Sequence, residues 1–230
     1  MAGAGSEFLT LGAVIQRVAL RLFFVSLLLC FGALIVGGQT PTLQFVVHDS
    51  TYELWLVDGG RGMRVNLTNT PGDVAFETEP AWSHDGNRLA YTRSEPPSSQ
   101  RQVQESGSVI CIRDFGGWTT CLPRLSYWDR LPRWSPDDSR IAFLTVEATL
   151  AVAPADGSAA GRVILDDYYI VDYEWLVDGQ GFDFIGSRLG EFQRNRYHFD
   201  LTTATITQTA ADVRVLISAE ARFNRYDVRP

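Results

Sequence analysis

The chain has 230 residues, 45% hydrophobic and 20% charged, which is enough apolar material to bury the core of one or two globular domains. Its 20 basic residues are all arginine, and a formal net charge of -7 offers no field to attract a phosphate backbone. Nucleic acid is therefore not expected as a partner.

In chain order, residues 1–17 read as a cytoplasmic leader, with a mostly apolar stretch at 8–16. Residues 22–38 (LFFVSLLLCFGALIVGG) carry no charge, and the apolar trend starts at Val18, broken only by Arg21. About 20 apolar residues span a bilayer, so 18–38 is read as one transmembrane anchor with Arg21 reaching back to the headgroups. Arg17 and Arg21 precede the run and Arg61 is the first basic residue after it, which places the N-terminus in the cytoplasm and residues 39–230 outside, on the periplasmic face. A cleaved signal peptide with a small-residue site near 36–38 is the rival reading, and both export the body. Cys30 follows Leu29 and is a poor lipoprotein site.

The body repeats itself. PAWSHDGNRLAYT at 80–92 returns as PRWSPDDSRIAFLT from 132 and as YEWLVDGQGFDFIGS from 173. Each copy ends a strand on a tryptophan (Trp82, Trp134, Trp175), turns, and starts an alternating apolar strand. The turns carry Asp85 and Gly86, Asp137 and Asp138, and Asp178 and Gly179, residues suited to a left-handed backbone. Trp82 and Trp134 are about 52 residues apart, and Trp134 and Trp175 about 41. A four-stranded propeller blade takes roughly 40 to 45 residues. The polar run 94–107 reads as a looped insertion that lengthens the first interval. Two further strands follow each copy: 109–113 and 119–122, 149–153 and 162–165, 196–200 and 205–208.

These clauses, with their short GG or DG turns, resemble the repeat of TolB-like β-propellers, related to WD-repeat propellers. Residues 43–69 look like the same blade without its first strand. The resemblance implies an all-β propeller, a family whose members usually carry more blades; three whole units and one truncated unit here give about four blades, closed or left as an open arc, behind the one transmembrane helix read at 18–38. Residues 212–218 (DVRVLIS) are expected to supply the missing strand and remove an exposed edge.

Chemistry is sparse. His48, His84 and His198 are the three histidines, and His84 sits where the second copy has Pro136. The acidic pairs at 137–138 and 166–167 read as turn residues. No nucleophile elbow, phosphate loop or metal-spaced cluster is present. No catalytic, cofactor-binding or metal residue is assigned, and the chain is read as a non-enzyme. Asn66 matches a glycosylation sequon at the end of an outer strand. Cys111 and Cys121 fall opposite one another if 115–117 is a hairpin loop, and an exported compartment would oxidise them. The alternative is two reduced, packed thiols.

The expected function is a protein-interaction or scaffold module, specifically an accessory subunit of a larger membrane complex, with a membrane-bound protein partner. The charged run 222–229 is the candidate contact, through Arg222, Phe223, Arg225 and Tyr226. A propeller enzyme or small-ligand binder using the central channel is the alternative, since TolB-like blades also accompany peptidases and polysaccharide-degrading enzymes.

Overall fold

The computed structural model describes residues 44–48, 52–58, 60–70, 75–94, 107–211 and 227–228. The chain divides into two units, Met1–Thr42 and Leu43–Pro230. The expected leader and anchor at 1–38, most of the 94–107 insertion and the 212–218 run lie outside the described residues, as do Arg222, Phe223, Arg225 and Tyr226. Among the described residues, no helix is long and apolar enough to cross a membrane.

The second unit is all-β. Its strands in chain order are β1 (Gln44–His48), β2 (Leu54–Asp58) and β3 (Met63–Asn66). Next come β4 (Phe76–Trp82), β5 (Arg88–Ser94), β6 (Ser108–Asp114) and β7 (Thr119–Cys121), then β8 (Arg130–Trp134), β9 (Arg140–Leu144), β10 (Leu150–Pro154) and β11 (Arg162–Leu165). Last are β12 (Tyr168–Trp175), β13 (Gly181–Arg188), β14 (Asn195–Asp200), β15 (Thr205–Ala210) and β16 (Asp227–Val228). They form four antiparallel four-stranded sheets, with order β16-β1-β2-β3 in sheet I and sequential order in sheet II (β4 to β7), sheet III (β8 to β11) and sheet IV (β12 to β15).

Sheet I takes its first strand from the other end of the chain: Phe45 pairs with Val228 and Val46 with Asp227. The expected principle holds, with a different segment. Asp227 and Val228 fill the role given to 212–218, and they come from the run assigned to a partner contact. A strand in a sheet spends its backbone donors and acceptors on the ladder, so these two residues serve the fold.

The turns follow their side chains. Gly86, Asp138 and Gly179 occupy the same turn position in sheets II, III and IV, with φ of 68°, 56° and 69°. Glycine enters this left-handed region without a Cβ penalty, and aspartate tolerates it better than most residues. The first strands of sheets II, III and IV each carry a bulge, at 78–81, 130–133 and 170–172.

Apolar packing lies between consecutive sheets. Leu54 and Leu67 of sheet I meet Trp82, Leu89 and Tyr91 of sheet II. Ala90 and Ile110 of sheet II meet Trp134, Ile141 and Phe143 of sheet III. Leu144 and Leu150 of sheet III meet Tyr173, Phe182 and Phe184 of sheet IV. Among the described residues no apolar cluster joins sheet IV to sheet I. Consistent with that, β13 alternates strictly at its start: Phe182 and Phe184 are buried and Asp183 between them is exposed, the pattern of a sheet with one face in water.

Candidate functional site

The site grows from the repeat. Trp82, Trp134 and Trp175 end β4, β8 and β12, so their indoles gather at one end of the sheets. Trp134 Nε1 donates to the carbonyl of Ala81, the residue before Trp82, at 2.9 Å. Trp175 Nε1 donates to the carbonyl of Arg133, the residue before Trp134, at 3.1 Å. Each tryptophan thus hooks onto the sheet before it. An arginine six residues after each of the first two tryptophans answers from the other side. Arg88 lies 4.5 Å over the Trp134 ring and donates to the Asp138 carbonyl at 2.9 Å. Arg140 lies 4.8 Å over the Trp175 ring and donates to the Gly179 carbonyl at 2.9 Å. Trp82 is covered by a ring instead, with Phe115 stacked parallel at 5.3 Å.

The sequence reading missed these arginines, although their fixed spacing was the available signal. In sheet IV the corresponding residue is Gly181, where a Cβ would press on the Phe199 carbonyl at 2.2 Å. No side chain can reach out from that position.

The turn residues Asp85 and Asp137 work within their own turns. Ser83 Oγ donates to Asp85 at 2.6 Å and Ser135 Oγ to Asp137 at 2.6 Å. Hydrogen bonds from Ser135 and then Ser139 hold the Asp137 carboxyl down at about 2, and Ser83 and the Asn87 N–H lower Asp85. Asp178 accepts the Gln180 N–H at 2.9 Å. Asp138 instead bridges two sheets by accepting the N–H groups of His84 (2.8 Å) and Asp85 (2.9 Å), with the His84 ring 2.9 Å away.

Above the tryptophans lies a cleft of about 480 Å³. Ala81, Pro136 and Val177 join the indoles as apolar lining, and His84, Arg133 and Glu174 supply polar groups. Arg133 is oriented by Asp172 at 2.8 Å and Glu174 at 3.7 Å and lies 5.4 Å over the Tyr173 ring. A largely apolar cleft of this volume with a few converging polar groups is the usual form of a binding site. His84 is more than half exposed at its rim.

The remaining sequence candidates lie apart. His198 pairs with Asp183 at 2.9 Å on the outward face of sheet IV, and the side chain of His48 lies outside the described residues. Among the described residues, no three His, Cys, Asp or Glu side chains cluster closely enough to hold a metal ion. Cys111 and Cys121 sit directly opposite each other on β6 and β7 and are joined in a disulfide.

No family model matches the chain, and no curated protein sequence matches it. Solved structures do. An oligogalacturonate lyase from Vibrio parahaemolyticus is similar at a TM-score of 0.57 and 17% identity, over 73% of this chain and 50% of that one. TolB from Acinetobacter baumannii gives 0.55 at 14% identity, over 73% of this chain and 41% of TolB. A chain of a nidogen/laminin complex gives 0.53 at 12% identity, over 74% and 62%. The chain spans about half the length of the lyase and less of TolB. At these identities the likeness is one of fold, and the fold is a TolB-like propeller arrangement. It corrects one expectation: the reading of the chain as a non-enzyme does not stand, because an enzyme shares its sheets. Missing motifs in the linear sequence were a weak basis, since propeller sites assemble from residues on separate blades.

Proposed function

We propose that this chain is a protein-binding propeller module, held on the outer face of the cytoplasmic membrane by residues 18–38, and that it serves as an accessory subunit of a larger membrane complex. The observation that carries this reading is the cleft over Trp82, Trp134 and Trp175. Its floor is fixed by the indole and arginine contacts between sheets, so a partner loses little entropy in ordering it. Its rim sets an exposed aliphatic side chain, Val177, beside Arg133 and Glu174. Apolar and charged groups side by side match the composition of protein contact sites. The fold likeness to TolB and to a chain solved within a two-protein complex supports binding.

The test is purification of the tagged full chain from its native membrane in mild detergent, beside Val177→Asp. A stoichiometric membrane partner with the wild type, and its loss with Val177→Asp, is the expected outcome. A lone chain in both preparations refutes the subunit reading.

A second reading uses the same cleft for a small ligand or for catalysis. It is favoured by the volume, which lies within the range of small-molecule sites, and by the convergence of His84, Arg133 and Glu174. Incubation with oligogalacturonate, followed by ultraviolet absorbance for an unsaturated product, tests the lyase version directly; no absorbance change removes it.

A further inference from the structure

The cleft over Trp82, Trp134 and Trp175 is framed by three hairpin turns, and each turn fixes a carboxylate at the rim. Asp85 accepts the Ser83 hydroxyl at 2.6 Å and the Asn87 N–H at 3.0 Å. Asp137 accepts the hydroxyls of Ser135 at 2.6 Å and Ser139 at 2.7 Å. Asp178 accepts the Gln180 N–H at 2.9 Å, and Glu174 lines the cleft one residue before Trp175. All four carboxylates are exposed. The turn hydrogen bonds favour the charged form, which is why Asp137 is held down at about 2 and Asp85 is lowered as well. Both are ionised at neutral pH.

The cations of the same turns are already engaged. Arg88 and Arg140 lie over the rings of Trp134 and Trp175 and donate to the carbonyls of Asp138 and Gly179. Arg133 is held by Asp172 at 2.8 Å. All three arginines are half-buried. Over residues 82–88, 133–140 and 172–179, three arginines stand against six carboxylates, Asp138 and Asp172 completing the set. The excess of three negative charges survives a wider count. On sheet IV, Asp183 is offset by Arg196. In the outer hairpins at the same end, Arg113 offsets Asp114 and Arg162 offsets Asp156, while Arg61 and Arg64 offset Asp58 and Asp200.

A cleft of about 480 Å³ is no wider than the Debye length of about 8 to 10 Å near physiological salt, so its rim charges act on a partner together. Opposite charge across an interface speeds docking and like charge opposes it, so a second copy of this face and an acidic partner are both disfavoured. Within the acidic rim the apolar contact is narrow: Val177, 95% exposed beside Asp178, lines the cleft with the indoles.

Resting on the reading of the cleft as a protein-binding site, we infer that its partner presents a basic segment, with lysine or arginine side chains flanking an apolar one. The cations meet the rim carboxylates, and the apolar side chain meets Val177 and the indole floor.

The test is fluorescence anisotropy of a labelled peptide titrated with the purified full chain in non-ionic detergent. The probe is a short peptide with one central leucine flanked by lysine and serine, and its counterpart carries glutamate in place of lysine. The lysine probe should bind with a Kd on the order of 10 μM at low salt and weaken at least tenfold at about 0.5 M salt. Asp85→Asn, Glu174→Gln and Asp178→Asn together should also weaken it at least tenfold at low salt. The two asparagines keep an oxygen acceptor for their turns, and an unchanged melting temperature checks that the turns persist. Glu147→Gln, Asp166→Asn and Glu191→Gln, three exposed carboxylates in the loops at the other end, alter the net charge by the same amount and should leave the Kd unchanged. Equal losses in the two triple variants would make the effect one of overall charge and overturn the inference, as would a preference for the glutamate probe or no binding of the lysine probe. Purification from the native membrane separates this inference from the reading beneath it. A partner that the wild type retains, that Val177→Asp releases and that the rim triple variant still holds leaves the cleft a protein site and refutes a basic partner.

Discussion

Glu77 is almost wholly buried where sheets I and II meet, and its surroundings favour the neutral acid. Burial is the largest influence and raises its carboxyl above the usual range; the Thr70 hydroxyl, donating at 2.9 Å, acts against this, and Glu53 adds a further upward push. Arg93 approaches at 3.7 Å but offsets only part of the cost. A carboxyl raised in the folded state contributes stability that is complete below its unfolded pKa and is lost as pH rises through the folded value. Glu77→Gln removes that loss. Relative to the wild type, its urea midpoint should improve as pH rises above the ordinary glutamate range of about 4, since the wild-type carboxyl must then either stay protonated against the solvent or ionise in the core. Parallel midpoints across that range would show that Glu77 ionises without penalty. The residue was invisible as a special case in the sequence, because burial of a glutamate depends on what a neighbouring sheet places over it.

At the scale of the element, the hairpin of β6 and β7 is the clearest case of local information deciding structure. Asp114 closes the turn by accepting the Trp118 N–H at 2.9 Å, and Gly117 takes a φ of 90°. That turn fixes the register, and the register sets Cys111 against Cys121. Closing so short a loop covalently is worth about 2 to 3 kcal/mol in the chain-entropy view. Reduction, or Cys121→Ser with Cys111→Ala, should lower the unfolding free energy by about that amount. The measurement is a denaturant titration with and without reductant, and an unchanged midpoint would mean that the unfolded hairpin is already restrained. The first strand of sheet I, β16, shows the opposite situation. Asp227 and Val228 pair across nearly the whole length of the body, and nothing within their own neighbourhood distinguishes them from 212–218.

At the scale of the molecule, each core cluster among the described residues joins neighbouring sheets, so stability should behave as a sum of sheets and junctions. The junction between sheets II and III adds the Trp134 hook on the Ala81 carbonyl and the Arg88 contacts to an apolar cluster that includes Ala90, Ile110, Ile141 and Phe143. Removing both partners in Trp134→Phe with Arg88→Ala takes away two hydrogen bonds, to the Ala81 and Asp138 carbonyls, and one cation–π contact, together about 2 to 4 kcal/mol. The expected calorimetric outcome is two transitions in place of one, as the sheets on either side lose their coupling. A single transition, merely shifted down, would show that the sheets communicate by another route. The same architecture explains why this chain can share its fold with an enzyme and with TolB while spanning half of the first and less of the second. Sheets packed against their neighbours keep their form when the number of repeats changes, and activity is then set by whichever side chains meet at their ends.

What the sequence determined by itself was everything encoded within a few residues: strand periods, left-handed turn positions, the order of repeats and the opposition of two cysteines. The tertiary structure decided which segment completes sheet I, which arginine covers which tryptophan, and that Trp82, Trp134 and Trp175 share a cleft. Alternation and turn chemistry act over about ten residues or fewer, through backbone geometry that any solvent would reveal. The indole hooks and arginine contacts join residues 35 to 53 positions apart. Their partners are chosen by how sheets stack, and the burial of apolar side chains between sheets supplies the free energy that sets that stacking.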